Sequence, residues 1–169
     1  VRWVDISDFM KIFPGMYRET MVTLAADTFY HFSNDYFCKL AKCDGTHMAI
    51  CYNGDKVVAG AVFLMGRAIM EYHLSASTPI GKKLAATNMI LHEAARLGQG
   101  LGCQALHLGG GTDGYANNPL LFFKAGFSKN RSLFIESAES TSESTYLIRN
   151  DSLFKTSKQG YTSILVRRK

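Results

Sequence analysis

Nowhere in the 169 residues do eighteen apolar residues run uninterrupted, so nothing in the sequence reads as a membrane span. The opening Val1-Arg2-Trp3 has no basic segment leading into an apolar one, so no signal peptide is visible. The four cysteines, Cys38, Cys43, Cys51 and Cys103, form no CxxC pair, and no histidine stands at finger spacing from two of them. A metal site is therefore not expected. The cysteines read as small buried hydrophobes of a reducing, cytoplasmic compartment. Ser–His–Asp, P-loop and internal-repeat patterns are missing too. An initiator Met is also lacking, so the expectation is a processed chain or a piece of a longer one, with residues 1–169 forming a single domain.

What is present is an ordinary globular composition, 47% apolar and 20% charged, long enough to bury a core. The net charge of +5 is unevenly placed. Residues 1–119 hold ten Lys/Arg against ten Asp/Glu, and the last fifty hold nine against four. That excess can attract an anionic partner such as phosphate or RNA, or it is a solvated tail ending Arg167-Arg168-Lys169. No dense basic stripe with interleaved aromatics occurs, which argues against a dedicated nucleic-acid module. The only low-complexity stretch is the Ser/Thr/Glu loop at 137–145.

Residues 14–44 predict helix in two pieces, the first carrying Met16, Met21, Leu24, Ala25 and Phe29, the second capped at Ser33. Two apolar runs around Asn53-Gly54 predict a hairpin, and "AIMEYHLSA" a third strand. Thr78 and Pro79 open a long helix from Ile80 to about Gln99, with Ile80, Leu84, Leu91 and Ala95 along one face. "QALHL" is a strand. "NPLLFFKA" is a short helix capped by Asn118, and "RSLFIES" a further strand. A short helix from Asn150 and a closing strand "YTSILV" end the chain. The fold class is α+β, with a mixed central sheet flanked by helices. Its strand–helix–strand crossover is right-handed and sets two strands parallel.

Four pieces in this order, "YRETM…ADTFYHFSNDYFCKL", "EYHLSAS", "KKLAATNMILHEAARLGQGLGC" and "LHLGGGTDG…LLFFKAGFS", resemble the GNAT acyltransferases over roughly residues 14–128. Within them the chain is most similar to the C-terminal domain of the FemABX-type aminoacyl (peptidyl) transferases, whose members carry two such domains in tandem. The resemblance implies transfer of an acyl or aminoacyl group to the amine of a small molecule or peptide, including a cell-wall precursor. No permanently bound cofactor is implied. The donor is an aminoacyl-tRNA in the FemABX enzymes and acyl-CoA in other GNAT proteins. The stretch "STPIGKKLAATN" has Gly81, Lys82 and Lys83 but not the full Q/R-x-x-G-x-G/A loop of the acetyl-CoA users. A homodimer, a tandem second domain, or a scaffold that has lost catalysis are further readings.

The candidate site follows. The helix start at Thr78–Lys83 offers free N–H groups and charge for a donor phosphate, or is merely a capped surface helix. Alternation along "EYHLSA" sets Glu71, His73 and Ser75 on one face and Met70, Tyr72 and Leu74 on the other. His73, with a pKa near neutral, or Glu71 can take the proton of the attacking amine, unless His73 is only a structural hydrogen-bond partner. Donor and acceptor would meet near Tyr72–Ser75 and Gly109–Lys124. His107, on the neighbouring strand, can face the gap too, or is a core or edge residue. Gly109, Gly110 and Gly111 permit close approach of a ligand to main chain, or make a tight connection. Asp113 and Tyr115 are candidate acceptor contacts in the same loop, with Phe123 beside them. Lys124 can hold a phosphate or carboxylate or stabilise an oxyanion, or it only packs its stem on Phe. Phe29-Tyr30, Tyr36-Phe37 and Phe122-Phe123 read as core.

Overall fold

The computed structural model describes residues 1–110, 117–134 and 161–167. Gly111, Asp113 and Tyr115, the loop at 137–145, the helix expected from Asn150 and the final Arg168-Lys169 lie outside them. The described strands form one mixed sheet in the order β1-β2-β3-β4-β5-β7-β6. Strands β2 (Thr46–Asn53), β3 (Lys56–Met65) and β4 (Ile69–Ser77) are the expected antiparallel succession, and β5 (Ala105–Gly109) lies parallel to β4. The hairpin turn is Gly54-Asp55, closed by the pair Asn53↔Lys56. The closing strand β7 (Tyr161–Arg167) inserts between β5 and β6 (Arg131–Phe134), antiparallel to both. A two-residue strand, β1 (Arg2–Trp3), adds an unforeseen edge beside β2.

Helix α1 (Ile6–Thr23) begins well before Gly15 and runs through Pro14. An internal proline costs about 3 kcal/mol. Phe9 and Phe13, one turn apart, stack at 4.8 Å and are fully buried, each stabilising by about 1.5–3 kcal/mol. The Asp5 carboxylate caps the start by accepting from the Asp8 N–H. Burial and cap outweigh the proline. The helix stops at Thr23, and Ala25 turns left-handed at φ 47°. Leu24 and Phe29 are therefore not on its buried face but exposed. A 3₁₀ turn at Thr28–Tyr30 leads to α2 (Asn34–Lys42), whose Ser33 cap accepts from the Tyr36 N–H as expected.

The expected single helix from Ile80 is two. A short α3 (Pro79–Lys83), capped by Thr78, is followed by α4 (Ala86–Gly100) after a left-handed Ala85 at φ 51°. The cause is Gly81, which lies so close to β3 that a Cβ there would meet the Val58 carbonyl oxygen at 2.0 Å. α3 is docked on the strand, and the chain must turn before α4 crosses the sheet. The break resets the helical phase. Ala86, Ile90, Leu91, Ala94 and Gly98 face inward, while Ile80 and Leu84 are each 54% exposed.

The sheet is covered on both faces. α1 and α2 bring Phe9, Phe13, Tyr17 and Phe37 against Met48, Val62 and Ala76. α4 and α5 (Pro119–Ala125) bring Ile90, Leu91, Ala94 and Leu121 against Ala61, Phe63, Met70 and Leu108. Cys51 and Cys103 are buried, but Cys43 is exposed at the end of α2, where its thiol donates to the Lys39 carbonyl. Among the described residues no helix is long and apolar enough to cross a membrane, and no cluster of metal-ligating side chains occurs.

Candidate active site

The site is built where two parallel strands part. β4 pairs with β5 only through Ile69↔Ala105, Met70↔Leu106 and Glu71↔His107. Pairing with β3 continues to Ser77. Beyond Glu71, then, β4 has no ladder partner on its β5 side among the described residues. Main-chain N–H and C=O groups along such an edge need hydrogen-bond partners. An extended molecule carrying amides can supply them, as a strand adds to a sheet edge.

A β-bulge shapes the exposed part of β4. Tyr72 pairs with Phe63 and Leu74 with Val62, so His73 is an extra residue. A bulge shifts the alternation by one. The expected face shared by Glu71, His73 and Ser75 is therefore not formed. Tyr72 packs toward α4 and Leu74 toward α1 and α2. Ser75 instead joins Tyr72, whose hydroxyl donates to the Ser75 Oγ. Burial pushes the Tyr72 pKa up to about 12, partly countered by the Ser75 bond, so this phenol keeps its proton.

On the α2 side, His73 Nε2 lies 2.9 Å from the Tyr36 hydroxyl. His73 is half-buried, and burial lowers its pKa below the ordinary histidine value while the Glu71 carboxylate pulls it back up. Tyr36 is held above its usual value by burial and by Cys43. The pair is thus a neutral imidazole and a protonated phenol at pH 7. When Nε2–H donates to Tyr36, Nδ1 is left as a proton acceptor.

At the point of parting, His107 Nδ1 stands 3.9 Å from Glu71 Oε1. Burial lowers the His107 pKa, Glu71 raises it and Lys124 lowers it. Glu71 itself is about half exposed. β5 ends in Gly109 at φ 70°, a left-handed position suited to glycine. The next residue is fixed by α5. Asn118 caps that helix as expected, and Lys124 Nζ donates to the Gly110 carbonyl at 2.8 Å. Lys124 is only 7% exposed, with Nζ 5.8 Å above the Tyr72 ring, and burial lowers its pKa to about 8. Its ammonium is turned inward onto main chain instead of reaching water.

The donor-binding candidates divide. Gly81 has a packing role against Val58 and Ser77. Lys82 and Lys83 are exposed just ahead of α4. The α4 cap residue, Ala85, offers no side-chain acceptor, and the first N–H bonded back to it is that of Asn88. The N–H groups of Ala86 and Thr87 precede it at the positive end of the helix dipole. Phe123 is half-buried against Phe127, a packing contact, while Phe122 is 81% exposed instead of core. Tyr36 is a site residue that sequence reasoning left as core, and His107, read as facing the gap or as a core or edge residue, stands at the point of parting. No local pattern pairs Tyr36 with a strand 37 residues away.

A family model described as an acetyltransferase (GNAT) domain matches residues 5–117. Among solved structures, an aminoglycoside acetyltransferase from an uncultured soil metagenomic sample aligns with a TM-score of 0.63 at 9% identity, covering 83% of this chain and 97% of its own. The PaiA N-acetyltransferase of Thermoplasma acidophilum, in complex with coenzyme A, aligns at 0.60 and 8% identity, covering 99% and 97%. A GNAT-family protein from Desulfovibrio desulfuricans aligns at 0.61 and 14%, covering 98% and 96%. Identities this low speak for a common fold. No curated protein matches the sequence.

Proposed function

From the premise that the chain belongs to the GNAT acetyltransferase domain family, we propose that it moves an acyl group from acyl-CoA to the nitrogen of a small amine. The observation that carries this is the parting of β4 and β5 after Glu71↔His107. A pantetheine arm is an extended chain with two amides, the chemistry that an unpaired strand edge accepts. The uncapped start of α4, with Lys82 and Lys83 beside it, suits the diphosphate at the other end of that molecule. The motifs on their own favour an aminoacyl-tRNA donor. The matched family model and the coenzyme A complex of a fold neighbour support the acyl-CoA reading better.

In this reading one domain supplies both halves of the site. The acceptor nitrogen attacks the thioester carbonyl, the C–S bond breaks, and the coenzyme leaves as a thiol. His73 Nδ1 takes the proton from the nitrogen, and Tyr36 steadies the imidazolium that results. On the same strand the Tyr72 hydroxyl donates to Ser75 Oγ, and in this reading the Ser75 hydroxyl in turn donates toward the departing sulfur. Lys124 positions the end of β5 through Gly110 and so keeps the far wall of the gap in place. Its role is positional and not that of the base.

Ligand-induced thermal stabilisation tests the donor. A ligand bound only by the folded state raises the melting temperature by mass action. Acetyl-CoA and CoA should each raise it, the shift should shrink in a Lys82→Ala/Lys83→Ala variant, and a charged-tRNA mimic should give none. Stabilisation by the tRNA mimic alone would restore the aminoacyl-transferase reading.

A further inference from the structure

An aromatic track runs from the surface to the candidate base. Phe29 is 74% exposed. The 3₁₀ turn holds it there, because the Asp27 carboxylate accepts from the Phe29 N–H at 2.9 Å. Its ring meets Tyr30 edge-on at 5.3 Å and Phe32 at 6.3 Å. Phe32 in turn stacks on Tyr36 at 4.1 Å with the planes 16° apart. Tyr36 ends the series with its hydroxyl on His73. Two ring contacts and one hydrogen bond therefore join an exposed Phe to His73.

We infer that the acceptor is a monoamine bearing an aromatic ring on a short alkyl arm, received by Phe29, Phe32 and Tyr36 with its nitrogen toward His73. This rests on the amine-acylation reading above. Offset or edge-on aromatic contacts add about 0.5–1.5 kcal/mol per pair beyond burial, and the exposed ring of Phe29 has room for such a partner. A polycation is disfavoured because the two carboxylates of this segment are engaged, Asp27 by the Phe29 N–H and Asp35 by Lys39 at 2.7 Å.

The test has two arms. Acetyl transfer from acetyl-CoA is compared for 2-phenylethylamine, spermidine and an aminoglycoside. Binding of 2-phenylethylamine alone is titrated calorimetrically on the wild type, Phe29→Ala and Phe29→Tyr. The side chain is exposed, so both variants should fold. The expectation is a kcat/KM at least about tenfold higher for 2-phenylethylamine. Phe29→Ala should raise its KM and Kd about 3- to 10-fold, with kcat and CoA affinity unchanged, and Phe29→Tyr should keep wild-type values. A better rate with spermidine or the aminoglycoside overturns the inference, as does a Phe29→Ala variant with unaltered KM and Kd. If acetyl-CoA is not the donor, all turnover fails, yet the titration still decides. Saturable binding weakened by Phe29→Ala supports the track, and absence of saturable binding sinks it.

Discussion

The hydroxyl of Tyr36 on α2 and Nε2 of His73 on β4 lie 2.9 Å apart, and a β-bulge makes the meeting possible. Without the extra residue, the pleat would carry Tyr72 and Leu74 together on one face and set Ser75 opposite Tyr72. With it, one strand presents an imidazole toward the α1–α2 side and a paired phenol and hydroxyl toward the α4–α5 side.

His73→Gln should lower kcat by at least about 10²-fold, the usual worth of a general base, and Tyr36→Phe by about tenfold. The wild-type rate should fall as the pH drops through a His73 pKa below 6.5. Glu71 raises that pKa, so Glu71→Gln should move the acid limb to still lower pH. Initial rates from pH 5 to 8 on the three variants check this. An acid limb that stays put in Glu71→Gln would show that His73 is not the titrating base.

Lys124 makes a prediction about stability. Its folded pKa, about 8, lies below its ordinary 10.5. Between those values the unfolded chain binds more protons, so stability should rise with pH across the window. The gain is at most a few kcal/mol, at about 1.4 kcal/mol per pKa unit. Urea unfolding at pH 7.5, 8.5 and 9.5, below the range where Tyr17 and Tyr72, both pushed up to about 12, act in the opposite direction, should show the rise in the wild type and not in Lys124→Met. A Lys124→Met variant that keeps the same rise would assign it to another group.

Two glycines should respond in opposite directions. At Gly81 a Cβ meets backbone at 2.0 Å, so Gly81→Ala should cost about 3 kcal/mol or more and move α3 off β3. At Gly15 nothing lies within 4 Å, and this site is inside α1. Gly15→Ala should therefore stabilise by about 0.5–1 kcal/mol. Thermal unfolding of the pair is the check. Equal effects would contradict the docking of α3 as the cause of the break at Ala85.

The fold class was legible because its signals are local. Ser33, Thr78 and Asn118 each cap a helix through a side chain that reaches two or three residues ahead, and the hairpin turn sits between two apolar runs. The order of motifs carried the family as well. The bulge at His73 was not legible, since it exists only in the pairing of β4 with β3. The helix break at Ala85 was hidden for the same reason: it answers to Val58 on another strand. Pro14 and Gly15 read as a boundary, and only the buried stack of Phe9 on Phe13 shows why they are not one. Aromatic composition suggested core throughout, yet Phe29 and Phe122 face solvent, because the turns that hold them are set by neighbouring caps.

Amide hydrogen exchange with and without CoA tests the central claim most directly. An acyl-CoA bound along the open edge of β4 should slow exchange in Tyr72–Ser77, and its diphosphate should slow it at Ala86 and Thr87. Unchanged exchange in both segments at saturating CoA, with or without protection elsewhere, would contradict the account.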